Sequence, residues 1–111
     1  MLSHAIKKYV GISRRKIARL GNELKHKKLS EVRGRLEILP QRAARELLKT
    51  IKSAEANYLF KNRNFNTDDL IVDNILVDQG PTMKRMRPRA RGSADVIKKR
   101  SCHIKVILKD Q

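Results

Sequence analysis

Cys102 and His103 stand side by side near the C-terminus, and a thiol beside an imidazole is a pairing that nucleophilic catalysis uses. Their setting, SCHIKVIL from Ser101 to Leu108, reads as a strand, and adjacent strand residues point to opposite faces. The two cannot hydrogen-bond to each other there, so Cys102 reads as a small buried hydrophobe. The three histidines, His4, His26 and His103, are scattered without His-x-x-x-His or comparable ligand spacing, and no metal site follows. Asp68, Asp69, Asp73 and Asp78 offer carboxylates close in sequence, which a two-metal nuclease would need. The plainer reading is that the first two start a strand after a turn and the others lie on its solvent side. No GxxxxGK[ST] or GxGxxG motif occurs. The expectation is a chain that is not an enzyme, with no catalytic residues, metal, cofactor or small-molecule substrate.

Positive charge is the chemistry this chain does carry. Lys and Arg number 27 against 11 Asp and Glu in 111 residues, a balance of +16 that makes a compact body repel itself until a polyanion neutralises it. Nucleic acid is the leading partner. The densest segment is GPTMKRMRPRARG, Gly80 to Gly92, where Lys84, Arg85, Arg87, Arg89 and Arg91 stand without an acid or an aromatic ring. A second group, Arg14, Arg15, Lys16 and Arg19 with Lys25, Lys27 and Lys28, has Glu23 alone to offset it. A third, Lys98, Lys99 and Arg100, follows the first. Arg forks grip phosphates in bidentate fashion, whereas a reader of single-stranded bases needs aromatic platforms that this segment lacks. Phosphate and shape recognition therefore fit best.

No run approaches the roughly 18 apolar residues of a spanning helix, and no basic amphipathic stretch carries Trp or Phe on its apolar face, so a membrane partner is not expected. MLSHAIKKYVGIS lacks the apolar stretch of a secretory signal, which predicts that the chain stays where it is made, and one cysteine suits a reducing cytoplasm.

The elements that position these charges can be read in outline. The length suits one domain, 1–111. His4 to Val10 reads as a strand. Ser13 offers an N-cap for a helix with Ile17, Leu20 and Leu24 on one stripe, ending near Lys25. Ser30 offers another cap, for a helix through Val32, Leu36 and Leu39 that Pro40 stops. Pro40 is also placed for the first turn of the longest helix, through Ala44, Leu47, Leu48, Ile51, Ala54 and Tyr58. Asn62, Asn64, Asn66, Asp68 and Asp69 break it. Leu70 to Asp78 and Ser101 to Leu108 then read as strands. Helices before strands, without βαβ alternation, favour α+β with an antiparallel sheet.

More than twenty residues separate the last two strands. They are either a disordered loop or an outward continuation of both strands as a ribbon, turning near Arg87 to Gly92. Small residues such as Gly80, Ala90 and Gly92 let backbone approach a crowded surface, and Pro81 and Pro88 belong at edges or bends. Such a ribbon is too poor in large apolar side chains to hold a core of its own.

The run from Val77 to Leu108, VDQGPTMKRMRPRARGSADVIKKRSCHIKVIL, closely resembles the signature of the bacterial large-subunit ribosomal protein twenty-two family. ISRRK from Ile12, KHKKL from Lys25 and LPQRAARELLKTIKSAEAN from Leu39 extend the likeness nearly end to end. The resemblance implies three helices packed on a small three-stranded antiparallel sheet, with a long protruding basic β-hairpin at about 78–100. It implies a structural constituent of the cytoplasmic large subunit that binds 23S-type ribosomal RNA and supports subunit assembly. The hairpin would help line the peptide exit tunnel, meeting neighbouring ribosomal proteins and, in passing, the nascent peptide. The hairpin motif falls on Gly80, Pro81, Lys84, Arg85, Pro88, Arg89, Ala90, Arg91 and Gly92, with Met86 between. RNA contacts are expected at Arg14, Arg15, Lys16, Arg19, Lys27, Lys28, Lys84, Arg85, Arg87, Arg89, Arg91, Lys98, Lys99 and Arg100. The chain departs from the family pattern at Ala18, and at Leu39, where a capping residue often precedes the proline. The alternative from charge alone is an architectural DNA-binding protein with a basic β-ribbon arm and Pro or Met wedges.

Overall fold

The computed structural model describes residues 2–63 and 69–110. The chain runs β1 (Leu2–Val10), α1 (Arg14–Leu24), α2 (Leu29–Ile38), α3 (Arg42–Lys61), β2 (Ile71–Gln79), β3 (Met83–Pro88), a 3₁₀ turn (Ala90–Gly92), β4 (Ala94–Lys99) and β5 (Cys102–Lys109). β1, β5 and β2 form an antiparallel sheet in the order β1-β5-β2, and β3 pairs with β4 in a separate two-stranded ribbon. The fold is α+β, as expected.

β5 is the axis of the body. Cys102, Ile104, Val106 and Leu108 alternate inward and are fully buried, the period-two pattern of a strand with one covered face. Ala44, Leu47, Ile51, Ala54 and Tyr58 of α3 and Ile17, Leu20 and Leu24 of α1 close over that face with Leu29, Val32 and Leu36 of α2. α1 runs antiparallel to β2: Arg14 Nε donates to the Val77 carbonyl at 3.0 Å, Gly21 sits against Ile75, and the His26 N–H donates to the Val72 carbonyl at 2.7 Å.

Two helix starts differ from the sequence reading, and the first strand carries an irregularity. β1 alternates poorly because its pairing with β5 shifts register between Lys7 and Val10, leaving Tyr9 in the left-handed region at φ 58°. Ser30 lies inside α2 and caps nothing, since α2 begins at Leu29, whose N–H is taken by the Leu70 carbonyl at 2.8 Å. Pairing with the entry to β2, and not a serine cap, sets that helix start. Pro40 precedes α3 instead of opening it: Gln41 is the N-cap residue, and Leu39 holds the extended conformation that a following proline imposes. Ser13 does occupy the N-cap of α1, but its hydroxyl makes no capping bond. Asn62 ends α3, its N–H donating to the Tyr58 carbonyl at 2.9 Å, whereas Asn64, Asn66 and Asp68 lie outside the described residues.

The ladder of β2 and β5 ends at Gln79 opposite Cys102 and is continued by one bond, Gly80 N–H to the Ser101 carbonyl at 2.9 Å. The ribbon then resumes at Met83 opposite Lys99. It extends the molecule to 65 × 25 × 17 Å, and the radius of gyration of 17.1 Å exceeds the roughly 13 Å of a compact chain this long.

Candidate nucleic-acid interface

The ribbon is held by backbone pairing and little else. From Gly80 to Arg100 no residue is buried, and Met83, Met86 and Val96 stay exposed. Directly opposed residues share a face, so Lys84 and Lys98 lie on one side with Met86 and Val96, while Arg85, Ile97, Arg87, Asp95 and Lys99 lie on the other. Cations therefore occupy both faces of a strip two strands wide.

At the tip the Arg89 N–H donates to the Ser93 carbonyl at 2.7 Å, and Ser93 Oγ donates to the Ala90 carbonyl at 2.9 Å. Arg91 and Gly92 take positive φ of 62° and 75°, which suits the glycine and is uncommon for an arginine. Arg89 Nε meets Asp95 Oδ2 at 2.9 Å, an exposed pair of small energetic weight. Lys84, Arg87, Arg91, Lys98, Lys99 and Arg100 have no ion-pair partner among the described residues.

At the foot of the ribbon the glycine serves the protein itself. A Cβ on Gly80 would lie 2.6 Å from Ser101 Oγ and 3.3 Å from the Ser101 carbonyl carbon, and that hydroxyl is committed to the Pro81 carbonyl at 2.7 Å. The crowded neighbour of Gly80 is the return arm of its own chain. Ala90, by contrast, is exposed, and a Cβ on Gly92 would meet open space.

The second basic group divides. Arg14, Arg15, Lys16 and Arg19 fall at the hairpin foot, because α1 starts beside Val77. Lys27 and Lys28 fall at the opposite end of β2, where the Lys27 carbonyl accepts the Val72 N–H at 3.0 Å and Lys28 bridges Ile71. In their place the fold brings Arg42 to the foot, with Arg100 and Lys98 from the return arm. The signal for Arg42 is in the sequence, since it opens a helix whose first turn holds no acid. Tyr9 gave no such signal: its N–H donates to His103 Nδ1 at 3.0 Å, and its exposed ring meets the imidazole edge-on at 5.0 Å. That contact joins residues 94 apart.

Cys102 and His103 do point to opposite faces, Cys102 into the core, where burial pushes its thiol pKa up. Asp73 pairs with Lys109 at 3.3 Å, and among the described residues no three His, Cys, Asp or Glu gather to hold a metal. No helix among the described residues is long and apolar enough to cross a membrane.

A helix-backed antiparallel sheet that sends out a long, coreless, cation-rich hairpin belongs to the class of small basic extension-bearing proteins. The sequence matches the family described as Ribosomal protein L22p/L17e over residues 5–109. It is 44% identical over 107 residues to the large ribosomal subunit protein uL22 of Akkermansia muciniphila, spanning 96% of this chain and 95% of that one. The corresponding protein of Desulforamulus reducens is 40% identical over 111 residues, 100% and 97% of the two chains, and that of Roseiflexus sp. 44% over 110 residues, 99% and 96%. The chain belongs to the ribosomal protein L22p/L17e family, whose members are structural ribosomal proteins and not enzymes.

Proposed function

We propose that the chain is a structural constituent of the large ribosomal subunit that binds 23S-type ribosomal RNA, supports subunit assembly, and threads its hairpin inward to help line the peptide exit tunnel. The observation that carries this reading is the ribbon: two strands with no buried residue and cations on both faces acquire a surrounding only from a polyanion that encloses them. Membership of a ribosomal family supports ribosomal RNA as that polyanion. In this reading neighbouring large-subunit proteins lie against the body and the nascent peptide passes the tip.

Sedimentation of cell extract tests it. The chain is expected to co-migrate with the large subunit of cytoplasmic ribosomes at low salt and to leave it in high salt with denaturant. Free sedimentation at low salt contradicts the proposal. An architectural DNA protein predicts instead that duplex DNA competes equally with folded ribosomal RNA at matched salt.

A further inference from the structure

Between the body and the ribbon lies an open cleft of about 640 Å³. Three elements far apart in sequence supply its cations: Lys16 and Arg19 from α1, Arg42 from the start of α3, and Lys98 and Arg100 from the return arm. None of the five is ion-paired among the described residues, and no carboxylate lines the space. Two acids act on its cations from outside: Glu46 is bound to Lys7 and also feels the charge of Arg42, and Glu23 lines a neighbouring recess with Lys16 and Arg19. Five like charges around a solvent-filled space raise the free energy of the unliganded protein.

The helix ends deepen this imbalance. Ser13, with Gly11 and Ile12, and Gln41, with Arg42 and Ala43, form parts of the wall where α1 and α3 begin. A helix start carries partial positive charge and unsatisfied N–H groups, and acids are favoured there. Both helices have no acid in the first turn and no side-chain cap, and both place cations there instead. The two helix starts and the cations therefore add in sign, which fits an anionic occupant and works against an empty site. The volume falls within the roughly 300–1,000 Å³ of small-molecule pockets, enough for a nucleotide's phosphate and ribose and not only for a bare ion.

We propose that this cleft seats the sugar-phosphate backbone of one ribosomal RNA strand, which bridges the body to the hairpin foot and so sets the direction in which the ribbon leaves the body. The inference rests on the ribosomal RNA reading above and names the place where the body takes part in it. Arg42 from α3 and Arg100 from the return arm both line the space, and their guanidinium forks suit bidentate grip on phosphates.

The test is a titration of the full-length chain with transcribed large-subunit ribosomal RNA over a series of KCl concentrations. Arg42→Gln with Arg100→Gln is compared with a charge-matched control, Arg35→Gln with Lys52→Gln, at exposed positions away from the cleft. The cleft variant is expected to lose roughly 1.4–1.8 from the log-log salt slope, two contacts at about 0.7–0.9 each, while the control keeps the wild-type slope. An unchanged slope in the cleft variant, or an equal loss in the control, overturns the cleft assignment and leaves ribosomal RNA binding standing. A wild-type chain with no preference for ribosomal RNA over duplex DNA overturns both. Circular dichroism checks folding, and Arg100→Gln alone, in the exposed arm outside the core, is expected to show about half the loss if the double variant folds poorly.

Discussion

Lys84 stands directly opposite Lys98 across the ribbon, two like charges where a sheet gains most from opposite ones. The ribbon is thus charged against its own pairing. Lys98→Glu is expected to order the free hairpin, by roughly 0.2–1 kcal/mol across that pair, while weakening RNA binding. Amide exchange of residues 83–99 and the salt-dependent affinity, moving in opposite directions, are the readouts. A parallel gain in both would show that the lysine pair faces no phosphate.

Replacing Arg85, Arg87, Arg89 and Arg91 together by Ala is expected to cut RNA affinity and flatten its salt dependence, each lost phosphate contact removing roughly 0.7–0.9 from the slope. All four side chains are exposed, so the stability of the body, read from thermal melts, should change by about 0.5 kcal/mol or less per substitution.

Gly80→Ala forces a methyl group against Ser101, whose hydroxyl and backbone both stand close. Relief requires breaking the Ser101–Pro81 hydrogen bond or spreading the arms, and a destabilisation of about 1–3 kcal/mol is expected in thermal melts. Adding Ser101→Gly should recover much of it.

Ile104, fully buried at the centre of β5, tests the core. Ile104→Ala is expected to lower stability by about 2–5 kcal/mol in urea titrations, far more than any substitution between residues 83 and 99.

Glu46 bonded to Lys7 ties α3 to β1, and that ammonium holds the Glu46 carboxyl below its ordinary pKa. A depressed carboxylate stabilises the fold above its unfolded pKa, and the gain fades as pH falls through the folded one. The melting-temperature gap between wild type and Glu46→Gln should be full at neutral pH, begin to narrow near the ordinary carboxylate pKa of about 4.3, and close only below the lower folded one. A gap that persists in acid would assign the effect to packing.

Most of the helices and the central strand are legible because their signals are local. The leucine stripes of α1 and α3 and the alternation of β5 follow from short-range periodicity, whereas the residues alone leave the basic segment open between a loop and a ribbon, and the family resemblance implies the ribbon. The misplaced starts of α2 and α3 have one cause: a serine or proline suggests a boundary, but the Leu29–Leu70 pairing and the extended Leu39 decide it. The basic groups were visible as composition and not as places. Only the antiparallel course of α1 along β2 carries Arg14 to the hairpin foot and Lys28 to the far end, and only α3 packing adds Arg42. The Tyr9–His103 contact depends on a register shift that no local pattern encodes.

Every buried apolar side chain lies outside residues 79–101. The two parts of the chain therefore answer to different selections: the body's residues are screened by whether the polypeptide folds, those of the arm by whether an external partner accepts them. Changes in the arm can accumulate in a well-folded protein and declare themselves only at assembly.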